Sequence, residues 1–445
     1  MNPLLCGLAA NPALPPELVH RLLAFALEEA ATEPEPGPAE ELLHNLADRA
    51  DLRHDQVLAL AAHAENTAVY LARTGTLTTA DVDPGSSPYA AVALLDEGRG
   101  HPEWARLLAA HPDSGIRWKL ASCPGLPADV VDLLAADPEG EVVEELALWT
   151  ASPVTARLAL HPDPQVRFAA ASNPATPLEA VVVLAEDPEL TLHWALSERT
   201  DLPQPLYARL AADPLPGVRA AYARNPGIGQ ELIRVLAADP EDQVRRALAA
   251  HPRVPLDLLA ELVVGDRAGW DLLPRIAAAT PAELTELAAS PHAAVRMLVA
   301  QRRDLPAELR DALAVDPDAA VVRAVAPHPG LSEELLGAMV ARHGVQVLTR
   351  VAANPDASGA LLELVTRHRP GVRKALKEVA KHPRATGPAL LACLADRTAR
   401  PLAAAHPALP PEAVVDLLSD EDRWVTEAAA GNPALPPAVM ERLIP

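Results

Sequence analysis

The sequence repeats itself, and the repeat is punctuated by proline. Cys123-Pro124, Ser152-Pro153, Asn173-Pro174, Asn225-Pro226, His251-Pro252, His328-Pro329, Asn354-Pro355, His382-Pro383, His406-Pro407 and Asn432-Pro433 stand mostly about 26 residues, or twice that, apart. "RTDLP" at Arg199 and "RRDLP" at Arg302 fill two missing places in altered form, with a weaker unit between them around "RAGWDLLPRIAAATPAELTELAASP". The 47 prolines of this 445-residue chain are therefore spacing marks and not a sign of disorder.

Each unit carries two helical signals. The first follows a proline: Pro15 precedes Leu18, Val19 and Leu22, Pro255 precedes Leu258, Leu259 and Leu262, and Pro436 precedes Val439, Met440 and Leu443. That spacing puts the apolar side chains on one helical face. The second starts at Asp-Pro, as at Asp137-Pro138, Asp187-Pro188, Asp213-Pro214, Asp239-Pro240 and Asp316-Pro317, where aspartate accepts orphan N–H groups. It ends before the next His-Pro or Asn-Pro, because a residue preceding proline is driven out of the α region. Helices of about ten residues are marginal alone, so each unit must bury its apolar face on its neighbour. The expected fold class is all-α: an α-solenoid superhelix of about 26-residue repeats, each two short helices, with 3-10 geometry open to some of the second ones. Aromatic residues are 3% of the chain, so alanine and leucine carry the packing. Residues 101–445 form the regular array. Residues 1–100 are expected to be degenerate capping repeats with an acidic, proline-rich loop at "ATEPEPGPAE". At the C-terminus the chain stops after a first helix, "PPAVMERLIP". That leaves an apolar end face, either open to pairing with a second copy or covered by Met440, Arg442 and the terminal proline.

The unit pattern NPxLPxELLxxLAxDPxxxVRxAxAx resembles the leucine-rich repeat variant family, a bacterial all-helical solenoid related in style to armadillo and HEAT repeats. The resemblance is clear over 101–445 and looser over 1–100. It implies the fold. The family's founding type also carries an N-terminal cysteine cluster that holds an iron–sulfur centre, but Cys6 has no cysteine near it, so no cofactor is expected.

Charge and motifs narrow the function. A formal charge of −22 disfavours general nucleic-acid or anionic-membrane binding. The exception is 296–400, with 16 Lys and Arg against 11 Asp and Glu. Cys6, Cys123 and Cys393 form neither a disulfide framework nor a metal spacing, which suits a reducing compartment. No apolar run has membrane-spanning length, and no secretory signal is recognisable. With the arginine-rich, alanine-rich composition, a bacterial cytoplasmic protein is expected. No phosphate loop and no HExxH occurs, and paired carboxylates sit mainly in first helical turns, so neither catalytic nor metal residues are assigned.

Three residue classes remain. Seven histidines precede proline (His101, His111, His161, His251, His328, His382, His406) and alternate with Asn in sister units. They are expected to bond helix-end carbonyls as a ladder. Arg117, Arg167, Arg219, Arg245, Arg296 and Arg373 follow a valine or its equivalent, with His193 in one place and Arg323 displaced by one. They read as a structural cationic ladder bridging carbonyls or the next unit's Asp, and otherwise as a stripe for acidic peptides or phosphates. The next position holds Trp118, Phe168, Trp194 and Met297, which should face outward and offer a partner surface. Trp104, Trp149, Trp270 and Trp424 read as packing residues. The expected function is a non-enzymatic protein- or peptide-binding scaffold. The alternative is a nucleic-acid-associated HEAT-like protein using the basic segment 342–400.

Overall fold

In the computed structural model, residues 2–32, 38–187, 190–264, 271–368 and 371–445 are described. Among them are 33 α-helices, one 3-10 helix and no strand. The fold is an α-solenoid, as the repeat requires. The 3-10 turn is a connector at Gly344–Gln346. That turn leads directly into the second helix Leu348–Ala352, and the other described second helices are α-helical. Asp113, Asp163, Asp318 and Asp422 each cap one with a side-chain oxygen, and that suffices to hold a short α-helix.

Eight helices carry the argument below: α1 (Pro3–Ala10), α2 (Ser114–Ala121), α3 (Gly140–Trp149), α4 (Pro164–Ser172), α5 (Leu190–Leu196), α6 (Pro216–Arg224), α7 (Arg423–Ala430) and α8 (Pro437–Leu443). All but α8 are second helices of a repeat. Two of them start downstream of a marking Asp-Pro: Asp137-Pro138 precedes α3, which begins at Gly140, and Asp213-Pro214 precedes α6, which begins at Pro216. The helix N-cap therefore falls two or so residues later than the sequence reading placed it.

The chain forms two compact units. One holds residues 1–56, 270–272 and 279–445, the other 57–269 and 273–278. Irregularity of the repeat marks residues 1–100, but the units do not divide there. In the 57–269 unit, α2, α3, α4, α5 and α6 lie side by side in chain order. Each turns one apolar position near its start into the core: Ile116, Val142, Val166, Leu192 and Val218 are all buried.

The other unit contains both chain termini, and they share one repeat. α8 is a first helix, and the second-helix place beside it is taken from the other end of the chain. α1 fills that place. It packs on α7 and on α8, and its closing residue Asn11 donates from Nδ2 to the Ala430 and Asn432 carbonyls, 2.9 Å each. Asn432 donates in the same register to Ala404 and His406, at 2.7 and 2.9 Å. Asn11 thus stands to Asn432 as Asn432 stands to His406. Arg49 extends the series, donating to the Ala9 and Asn11 carbonyls at 2.9 and 2.8 Å. Arg21 holds the last residues, donating to the Pro445 carbonyl at 3.0 and 3.1 Å and also to that of Ile444. The expected open end face, and pairing with a second copy through it, is therefore corrected. Met440 and Ile444 are buried, and the chain's own first helix covers the end.

Gly7 sets how close α1 comes. A Cβ there would lie 2.1 Å from the Glu427 carbonyl oxygen and 2.7 Å from the Ala430 Cβ. Gly7→Val is expected to lift α1 from α7 at a cost of about 1–3 kcal/mol. Hydrogen exchange should then speed up in Arg423–Ala430 and stay unchanged in the 57–269 unit. Unchanged protection of α7 in the variant would show that α1 does not hold it.

Candidate binding surface

Two polar ladders run through the units, and both begin from residues the sequence marks. The first uses the residue before proline. Asn173, Asn225, His251, His328, Asn354, His382, His406 and Asn432 are buried. Asn225 Nδ2 donates to the Ser197 and Arg199 carbonyls at 2.6 and 2.7 Å. Asn354 Nδ2 donates to those of Ala326 and His328 at 2.6 and 2.7 Å. Histidine does the same with Nε2: His251 to Asn225 O at 2.9 Å, His328 to Ala300 O at 2.7 Å, His382 to Asn354 O at 2.8 Å and His406 to His382 O at 3.1 Å. A carbonyl acceptor fixes Nε2 as the protonated nitrogen, leaving Nδ1 to accept. It accepts from the backbone N–H two residues on, as at His251 and Arg253, 3.0 Å. Asn Oδ1 accepts from the same place, as at Asn225 and Gly227, 2.6 Å. Both side chains present a donor and an acceptor at matching reach, which is why they interchange.

Only four of the seven histidines belong to this ladder. His111 and His161 sit at starts of second helices, where Nδ1 accepts from the Asp113 and Asp163 N–H groups at 3.1 and 3.2 Å. His101 is an exposed residue at a helix start, edge-on to Trp104 with ring centroids 5.4 Å apart. Arginine fills the slot elsewhere. Arg199 donates to Asn173 O and Thr176 O at 2.8 and 3.0 Å while Asp201 takes its other edge at 2.7 Å. Arg302 with Asp304 and Arg49 with Asp51 repeat the arrangement.

The second ladder is built from arginine and aspartate. Arg117, Arg219 and Arg296 each grip, through Nε and Nη2, the aspartate 20 residues on: Asp137 at 2.7 and 3.0 Å, Asp239 at 2.8 and 3.0 Å, Asp316 at 2.7 and 3.0 Å. Arg167 reaches Asp187 through Nε at 2.9 Å, and His193 reaches Asp213 at 2.9 Å. The Nη1 of each of these arginines donates to the carbonyls of the turn behind it, as Arg117 does to His111 O and Pro112 O at 2.8 and 3.1 Å. These ties hold the Asp137, Asp239 and Asp316 carboxyls below the ordinary range against the opposing effect of burial. Arg245 instead bonds Asp239 O and its own helix's Asp242, since glycine stands 20 positions on. Arg373 is exposed, with Asp396 3.7 Å away. Arg323 is exposed as well. Arg400 pairs with Asp420 at the ladder's spacing. No valine precedes it, which is why the sequence reading missed it.

The outward position adjoins this ladder. Trp118, Glu144, Phe168, Trp194 and Ala220 hold it on α2 to α6, each two residues after the buried apolar position of its helix. Trp118 and Phe168 are half-buried, and Trp194 is 47% exposed. The Trp194 ring lies over Gly217 of α6, its Cζ2 and Cη2 atoms 2.9 and 3.2 Å from where a glycine Cβ would stand. Beside it opens a groove of about 410 Å³ lined by Trp194, Glu198, Gly217, Ala220, Arg224 and Gln243, among others. Met297 does not join the row. It is 8% exposed, buried in its own helix, and lies in the other unit.

The stretch 164–189, from α4 through Asn173 and the next first helix to Asp187, matches a family model described as leucine rich repeat variant. The repeat resembles the leucine-rich repeat variant. A solved structure described as a leucine-rich repeat variant with a novel repetitive structural motif is 19% identical, covering 62% of this chain and 87% of that one at a TM-score of 0.24. UNC-45 from Drosophila melanogaster is 14% identical over 93% of this chain and 64% of its own, TM-score 0.21. The structure of the Pds5–Scc1 complex, described with implications for cohesin function, is 13% identical over 92% and 70%, TM-score 0.17. No curated protein matches.

In this leucine-rich-repeat-variant-like array, two tryptophans read as packing residues are largely solvent-facing: Trp149 is 60% and Trp424 59% exposed. Arg423 lies over the Trp424 ring, 4.5 Å from its centroid. Trp104 is half-buried, and Trp270 lies outside the described residues. Within 342–400, Arg342 donates to Val315 O at 3.1 Å, Arg367 pairs with Glu363 at 2.7 Å, and Arg384 lies 3.7 Å from Asp356. Lys374 and Lys381 are exposed. Burial pushes the Cys6 thiol up to about 11 and those of Cys123 and Cys393 to about 12, far from a reactive thiolate. No group of His, Cys, Asp and Glu among the described residues could hold a metal. No described helix is long and apolar enough to cross a membrane.

His328 departs from its sister histidines. Two residues on, Gly330 has φ +82 and donates its N–H to Asp356 at 2.7 Å, so His328 Nδ1 has no partner. Burial lowers this imidazole from 6.5 to about 4. As pH falls below 6.5 the unfolded chain takes the proton first, so the stability that neutral His328 contributes is complete above 6.5 and is lost towards pH 4. His328→Asn keeps the donor to Ala300 and removes the titration. Urea midpoints should match at pH 7.5 to within about 1 kcal/mol, and the wild type should decline more steeply between pH 6.5 and 4. Parallel declines would remove His328 as a source of acid sensitivity.

Proposed function

We propose that the chain is a non-enzymatic scaffold that binds a protein or peptide along the outward face of α2 to α6. One observation carries this reading. Trp118, Phe168 and Trp194 stand at one equivalent position of the second helices α2, α4 and α5, with the most exposed of them over a glycine beside a groove. Core packing does not require aromatic rings there, since the equivalent Ala220 serves the same fold. Large, rigid, partly exposed rings are the side chains that carry binding energy at interfaces. The ladder arginines lend the face little free positive charge, because their guanidiniums are taken by aspartates and turn carbonyls. The reducing cytoplasm of a bacterial cell fits three unpaired, buried cysteines.

The double variant Trp118→Ala, Trp194→Ala tests the face. A random-peptide library is panned on the full-length wild type, and each enriched peptide is titrated against both proteins. Binding at least about tenfold weaker to the variant is expected, with the same helical circular dichroism. Peptides bound equally well by both would remove the face from consideration. Retention of a DNA or RNA oligonucleotide at physiological salt, lost on charge-neutralising 374, 377 and 381, would favour nucleic-acid association instead.

A further inference from the structure

Resting on that reading, we infer that the partner is cationic: an arginine- or lysine-bearing peptide laid across α2 to α5, its charged side chains seated between the aromatic rings. The row is not uniformly aromatic. On α3 the equivalent position is Glu144, with an aromatic-bearing helix on either side, Trp118 on α2 and Phe168 on α4. Glu145 follows it, and Glu198 lines the groove beside Trp194 one helix further on. The order along the face is ring, carboxylates, ring, ring, carboxylate.

Glu144 and Glu145 are half-buried, and burial raises both carboxyls above their ordinary range. For Glu144 the neighbouring charges, Asp163 and Glu141, act in the same direction. For Glu145 only the Trp149 hydrogen bond and Lys119 oppose it. A cation brought to this place gains from the carboxylates and from the faces of the rings together.

The chain already makes such a contact with its own side chain. Lys119 Nζ stands 4.4 Å from the Trp118 ring centroid. The surrounding charge agrees: residues 57–269 hold 16 Lys and Arg against 29 Asp and Glu, and the ladder arginines among them are spent on aspartates. An acidic peptide would meet repulsion along this face. A neutral one would leave Glu144, partly desolvated beside Asp163 and Glu141, without a counter-charge, which is costly.

The test compares two double variants of the full-length chain that remove equal charge. Glu144→Gln with Glu145→Gln alters the face. Asp132→Asn with Glu179→Gln alters exposed carboxylates on first helices of the same unit. The probe is a fluorescent peptide of Arg-Gly-Gly repeats, with a citrulline version as the neutral analogue, titrated at about 150 mM salt. Saturable binding to the wild type is expected, weaker by about tenfold or more for the citrulline peptide. The face variant should lose a similar factor and the first-helix variant little. Equal losses in both variants would mean general attraction to an acidic protein and overturn the inference. So would equal binding of the two peptides. If the citrulline peptide still binds and that binding disappears in Trp118→Ala, Trp194→Ala, the docking face stands and only its preference for cations fails. If neither face variant changes any binding, both fall. Melting curves of all variants separate lost binding from lost fold.

Discussion

The structure depends on one hydrogen bond made again and again: a buried side chain at the end of most second helices donates to the helix-end carbonyls of the repeat before it. A short helix leaves its last carbonyls unpaired, and in a stacked array those carbonyls face another repeat and not water. Leaving them unsatisfied would cost more than the modest net gain of each bond. Asn225, His251, Asn354 and Asn432 answer that demand with one amide or imidazole each. The proline that follows ends the helix and holds the donor in extended backbone. The small apolar residues then need only fill space, which alanine and leucine can do with almost no aromatic help.

This division of labour explains what could be read from the sequence. The pre-proline ladder was legible because Asn and His recur in one place, and their exchange pointed to hydrogen bonding and away from catalysis. The pairing of Arg117, Arg219 and Arg296 with aspartates of the next repeat was legible for the same reason. Failures came where equivalent sequence positions meet different surroundings. Met297 shares its position with Trp194, yet one is buried and the other open to solvent, because burial is decided by neighbours from other repeats. His111 and His161 precede proline as His251 does, but they stand at the wrong end of a helix, a difference that the dipeptide alone does not encode. The slot at Arg49 was overlooked because arginine with an aspartate two positions on does not look like Asn-Pro, although it answers the same carbonyls.

The candidate surface follows from a freedom that the core does not need. Once Ile116, Val142, Val166 and Leu192 are buried and the ladders are tied, the position two residues after each of them faces away from the packing. It carries tryptophan, glutamate, phenylalanine and tryptophan in turn. Selection can vary that row repeat by repeat without disturbing the stack, and the row can therefore be shaped to a partner. Glycine at 217 matters here as an absence of bulk: it gives Trp194 a flat seat and keeps the groove beside it open.

The docking of α1 on α7 has a consequence for how the protein is made. α1 leaves the ribosome long before its hydrogen-bonding partner, since Asn432 lies 421 residues downstream of Asn11. Until those residues are made, this short apolar segment lacks that partner, and the repeats between stack without it. α1 thus reaches its native seat only after the repeats that separate it from α7 have been made, and its arrival reports that those repeats have stacked in register.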